Sequence, residues 1–112
     1  MLSRRAASDP GRLRLRLVLE KATRNPDGAG GATLAWSAAA TIAADVMPGG
    51  AEERAAGESL SGVRRQRIVI RHRSDVAPGD RFRLGARLFS INSITDPRED
   101  RRYLVIAAEE ET

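Results

Sequence analysis

The sequence predicts a mainly all-β domain, a small antiparallel barrel or sandwich of about six strands with one short helix in a long loop. Two observations carry that prediction. Apolar and polar residues alternate with period 2 through several segments, as in RLRLRLVLE at 12–20, and clusters of turn-forming residues separate those segments at short spacing.

The opening strand has Leu13, Leu15, Leu17 and Leu19 on one side and Arg12, Arg14 and Arg16 on the other. Burying four leucines is worth roughly 6 to 12 kcal/mol, while a one-residue slip would bury arginines instead, so the register is firmly set. RNPDGAGG at 24–31 combines Pro, Asp-Gly and Gly-Gly and predicts a hairpin loop. It is not a phosphate loop, because the Lys and Ser/Thr of a Walker motif do not follow the glycines. From Leu34 to Val46 the even positions Leu34, Trp36, Ala38, Ala40, Ile42, Ala44 and Val46 predict one long strand with a continuous apolar face. A helix is the rival reading of so many alanines, but Pro48, Gly49 and Gly50 stop the pattern as they would stop a strand.

The stretch from Pro48 to Gln66 is the longest irregular one, with one or two helical turns expected over Glu52 to Ala56. Loops of that length in compact domains are functional or disordered. VRRQRIVIRHR at 63–73 follows as a strand with Ile68 and Ile70 inward and Arg67, Val69 and Arg71 outward. A Pro-Gly turn at 76–79, the short strand RFRL and Gly85 come next. In LFSINSI, Phe89 and Ile91 share a face that Ile94 misses, which calls for a bulge near Asn92 and Ser93. DPRED at 96–100 is a turn, and Leu104, Ile106 and Ala108 share one side of the last strand.

The chain's 112 residues suffice for one domain, expected over 11–109, between a flexible lead at 1–10 and an acidic tail at 110–112. Apolar residues make up 41% but aromatics only 4%, so the core is aliphatic and modest, which favours supplementary subunit contacts. The absence of cysteine excludes a disulfide framework, a thiolate zinc site and a cysteine nucleophile. No run approaches the ~20 apolar residues of a membrane span, and no membrane partner is expected.

Nothing converges on catalysis. His72 is the sole histidine, and its neighbours Ser74 and Asp75 are too close in sequence to build a relay with it. Glu52 and Glu53 would diverge by about 100 degrees on a helix. Glu109, Glu110 and Glu111 form a terminal charge run, expected to be solvated. No enzyme, metal or cofactor is therefore expected.

The net charge of +4 rests almost wholly on arginine, with Lys21 the one lysine. Outward arginines on strands suit phosphate or carboxylate partners, or simply reflect codon bias. RIVIRHR lacks the aromatic platforms of single-strand binders, so backbone contact or ion pairing between subunits is the expected use.

The order of motifs resembles the head-tail joining proteins of tailed phages, also called head-closure or stopper proteins, and their gene transfer agent counterparts. The resemblance rests on Gly11, Leu13, Arg14 and Arg16, then Asp27 and Gly28, Trp36, and Ala44, Val46, Pro48 and Glu52. It continues through Ile70, Arg71, His72 and Arg73, Pro78, Gly79 and Arg81, Phe89 and Ile91, and Asp96 and Pro97. Ala43 stands where relatives often carry a second tryptophan, and His72 replaces their usual tyrosine.

The resemblance implies a non-enzymatic connector in the neck of a virion or phage-like particle, assembled in the bacterial cytoplasm. Its expected form is a ring, a dodecamer, beneath a portal adaptor and above a tail terminator or tail tube protein, with double-stranded DNA passing through the channel. A channel loop is expected at 48–66, its glycines Gly49, Gly50, Gly57 and Gly62 permitting rearrangement. Arg64, Arg65 and Arg67 are the expected DNA contacts, and Arg12, Arg14, Arg16, Glu52, Arg71 and Arg73 the expected subunit or partner contacts. A free nucleic-acid-binding β-barrel is the alternative reading.

Overall fold

A computed structural model describes residues 13–49 and 63–111. Six strands follow in order: β1 Leu15–Pro26, β2 Ala32–Pro48, β3 Val63–Arg71, β4 Arg81–Leu84, β5 Arg87–Thr95 and β6 Tyr103–Glu111. All pairings are antiparallel, and the order β1-β2-β3-β6-β5-β4 closes because β4 returns to β1. The all-β expectation holds, and the sheet is a closed barrel.

The alternation in β1 works as read. Leu17 and Leu19 are fully buried, Leu13 and Leu15 half-buried, and Arg14 and Arg16 exposed. Around them Ile42, Ala44, Ile68, Ile70, Phe82, Phe89, Ile91, Leu104, Ile106 and Ala108 fill the interior, with Val76 lying against one end. Phe82 and Phe89 face each other across the β4–β5 ladder and are the largest fully buried side chains. Two aromatics thus supply the bulk that the aliphatic residues lack.

The anticipated bulge in β5 is present, since Ile91 pairs with Ala108 and Ser93 with Ala107, leaving Asn92 unpaired and bringing Ile94 back opposite Ile106. A second bulge corrects the reading of β2. Leu19 pairs with Ala40 but Glu20 with Ala38, so Ala39 is an extra residue. One inserted residue reverses the parity of everything before it. Ala40, Ile42 and Ala44 keep to the interior side, whereas Leu34, Trp36 and Ala38 fall on the face of Glu20, outside; Leu34 is 57% exposed.

Among the described residues, β1 beyond Glu20 pairs with β2 alone, and β2 meets β3 only from Ala44 onward. Residues 21–26 and 32–37 therefore make a two-stranded arm of about 20 Å, six residues at ~3.3 Å each. It lengthens the molecule to 53 × 32 × 27 Å. At its tip the Asp27 carboxylate accepts the amides of Ala29 (2.8 Å) and Gly31 (3.1 Å), and Gly28 takes φ 81, a left-handed value open to glycine. The predicted Asp-Gly hairpin thus forms with a longer stem than expected.

Three further points concern boundaries and burial. Val69, read as outward, lies on the outer face and is fully buried there: β3 is flanked on both sides, and Asp45 and Val105 pair with it. Residues 63–66 belong to β3, so the irregular stretch after Pro48 is shorter than 48–66. The helical turns expected at 52–56 lie outside the described residues. Lastly, β6 runs to Glu111, so the acidic residues pair with β3 and β5 instead of trailing free.

Candidate functional site

Among the described residues, no group of three or more His, Asp or Glu stands close enough to hold a metal ion. The barrel surface instead carries a set of arginine–carboxylate pairs.

Among the described residues, five carboxylates, Glu20, Asp75, Asp80, Glu109 and Glu110, are closely paired with cations. Glu20 is buried and accepts Arg81 Nε at 2.6 Å on one oxygen and Arg83 Nε at 2.9 Å on the other. The Arg81 hydrogen bond above all, opposed by burial and aided by Arg83, holds its carboxyl below the usual glutamate range. Arg81 also lies over Trp36, 4.2 Å from the ring centroid. The arm is thereby tied to β4 by a cation–π contact.

Near the C-terminal end of β6, buried Glu110 accepts Arg87 Nε at 2.6 Å, Arg87 Nη2 at 2.9 Å and Gln66 Nε2 at 2.9 Å. The Arg87 fork lowers the Glu110 pKa against the cost of burial, and Arg87 is raised in turn. Arg73 forks onto Asp75 through Nε and Nη2, both at 2.9 Å, which lowers Asp75 in the same way. Lys21 binds Asp80 at 2.6 Å and the Asp75 carbonyl, pinning the turn before β4 to the base of the arm.

The residues expected to meet DNA are dispersed by this pairing. Arg64 is exposed, Arg65 donates to Glu109 across the ladder, and Arg67 is partly buried with interactions of its own. Strand alternation puts Arg64 on one face and Arg65 and Arg67 on the other. Of the expected partner contacts, Arg16 and Arg71 are exposed and Arg73 is engaged with Asp75; Arg12 and Glu52 lie outside the described residues. Gly49 is buried and donates its amide to Arg65 O at 3.1 Å, continuing the β2–β3 edge. Gly50, Gly57 and Gly62 also lie outside the described residues.

A cavity of about 720 Å³ opens beside the turn between β5 and β6, lined by Arg71, His72, Arg98, Asp100, Arg101, Arg102 and Tyr103. The sequence reading missed it. Its arginines are separated by some 27 residues and meet because the His72 amide donates to Arg102 O at 2.9 Å, joining the end of β3 to the turn. A smaller groove of about 190 Å³ runs beside Trp36 over Val63, Arg81, Leu88, Ser90, Glu109 and Glu111.

Comparison with known families matches residues 8–111 to the phage head completion protein family. The chain belongs to that family. A chain in the structure of a native gene transfer agent virion is 36% identical to it, covering 87% of this chain and 93% of that one, with a TM-score of 0.67. A Shigella flexneri 2a protein solved in solution is 26% identical over 91% of this chain and 96% of that one, with a TM-score of 0.66. Curated protein sequences yielded no significant match. As a head completion protein, the chain is a structural protein of the virion neck and not an enzyme.

Proposed function

We propose that this head completion protein acts as a ring-forming connector. Copies of it would join a portal-side adaptor to the tail and help retain packaged double-stranded DNA. The observation that carries this reading is the family match over 8–111, together with the 36% identity to a chain of a gene transfer agent virion. The barrel supports it physically. Its arm extends past the body with both outer strand edges unpaired among the described residues, and a lone two-stranded ribbon is marginally stable in water, so a neighbouring molecule is its natural cover. Contact of one copy's arm with a different surface of the next is heterologous and closes into a ring when the rotation allows.

In this reading the segment between Gly49 and Val63 supplies the channel loop, and Arg64, Arg65 and Arg67 follow it toward the DNA. Imaging of necks assembled with portal and adaptor tests the connector role: rings of this protein between adaptor and tail are expected, and necks of normal composition without it would refute the role. Replacing Arg64, Arg65 and Arg67 together by Ala should lower DNA retention in filled particles. Unchanged retention would remove those arginines from the channel while leaving the connector role intact.

A further inference from the structure

The arginines beside the β5–β6 turn differ from those elsewhere on the barrel. Arg65, Arg73, Arg81, Arg83 and Arg87 each have a carboxylate partner. Around the 720 Å³ cavity the carboxylates are engaged by backbone instead: Asp96 accepts the Arg101 amide at 2.9 Å and Asp100 the Arg102 amide at 3.2 Å. The closest guanidinium contact there, Arg102 to Asp100, is 3.9 Å long, with the Arg102 side chain 76% exposed. Arg71, at the end of β3, points its guanidinium toward the Tyr103 ring at 6.0 Å.

The turn holds this arrangement against a conformational cost. Glu99 and Arg101 adopt φ values of 54 and 60, a left-handed region that costs a non-glycine residue roughly 1 kcal/mol or more. Glycine would adopt these values without that cost. Here the strained Arg101 side chain lines the cavity with Arg98, Arg102 and Arg71.

We propose that this cavity binds the phosphate backbone of duplex DNA, gripping it through Arg71, Arg98, Arg101 and Arg102 without reading sequence. The proposal deepens the DNA-retention part of the function above and rests on that reading for its biological setting. Guanidinium forks match phosphate oxygens in geometry and charge. Four guanidinium groups line the cavity against one carboxylate, Asp100, which accepts the Arg102 amide, so attraction is set by phosphates and falls steeply with salt.

The test is anisotropy of a labelled short duplex with the purified full chain across a salt series. Four phosphate contacts at about 0.9 each predict a log–log slope near −3.6. Arg101→Gly removes one charge and also relieves the left-handed backbone, so it should fold at least as stably while flattening the slope by about 0.9 and weakening binding several-fold at low salt. Glu99→Gly relieves the same kind of strain but removes a negative charge, and should tighten binding.

Equal slopes for the wild type and Arg101→Gly would overturn the proposal. So would loss of binding confined to the Arg64, Arg65 and Arg67 triple variant, although that result would leave DNA retention itself standing. Tighter binding of a polyglutamate peptide than of the duplex would overturn it in favour of a protein partner, and saturation by inorganic phosphate without duplex binding would reduce the cavity to a free-anion site. Failure of the chain to enter particles is a separate outcome that bears on the connector role alone.

Discussion

Trp36 and Arg81 meet face to face although their strands, β2 and β4, share no ladder, with the guanidinium carbon 4.2 Å from the ring centroid. The contact exists because the bulge at Ala39 turns Trp36 out of the register that would have sent it toward the barrel interior. It couples the attitude of the arm to the barrel wall through Arg81 and Glu20.

Trp36→Ala removes that coupling without touching the core. The barrel should lose about 0.5 to 1 kcal/mol in chemical denaturation, the worth of a partly exposed cation–π pair. Because Trp36 is the one tryptophan, its emission in the wild type should shift to the blue when the arm is covered during neck assembly. An unchanged spectrum in assembled necks would show that the arm stays in water.

Phe82→Ala opens a cavity at the centre of the core, where Phe82 faces Phe89. A cost of about 3 to 5 kcal/mol is expected. Since a domain of this size holds roughly 5 to 15 kcal/mol in total, the variant should show a large fall in denaturation midpoint or lose the cooperative transition.

Acid should destabilise the barrel through Glu20 and Glu110. Both carboxyls are held below their ordinary range in the folded state, so their contribution is complete above the unfolded pKa of about 4.3 and is lost as pH falls through the lower folded values. Stability should thus be level from about pH 7 to 5 and drop below about pH 4. Replacing both residues by Gln should flatten that drop in a pH series of thermal melts.

Glu110→Gln alone leaves the Arg87 fork against a neutral acceptor. The expected loss near pH 7 is about 1 to 2 kcal/mol, less than for a fully buried pair because the Arg87 side chain is 45% exposed. Arg87→Lys should recover little of the fork geometry, and an equal comparison of the two variants by denaturant titration checks this.

Gly85 is the first residue of the two-residue β4–β5 loop and has φ 61, which fits a type II′ hairpin turn. Gly85→Ala should cost about 1 kcal/mol at this turn with no change in the spectrum of the folded state. Equilibrium denaturation with matched circular dichroism checks both parts.

Much of the barrel was legible because alternation is a local signal. The leucines of β1, the bulge at Asn92 and the Asp-Gly hairpin follow from neighbours a few residues apart. The bulge at Ala39 was not, since one alanine among many carries no mark of being extra, and parity was carried straight through it to Trp36 and Leu34. Glu110 looked like part of a solvated tail because its partners Arg87 and Gln66 are distant in sequence. The arginine cavity depends on two left-handed residues that no propensity would place at Glu99 and Arg101. The sequence marked arginines as abundant; only the folded pairing shows which of them already have carboxylates.

The return of β4 to β1 also governs how the molecule behaves in a crowd. A sheet with an open border can recruit further chains indefinitely, amide to carbonyl, and that is how fibres start. Here the six-stranded wall seals most of its own border, and among the described residues the long unpaired stretches lie along one slender limb. In the proposed ring, docking that limb would remove the hazard and secure the contact in a single event.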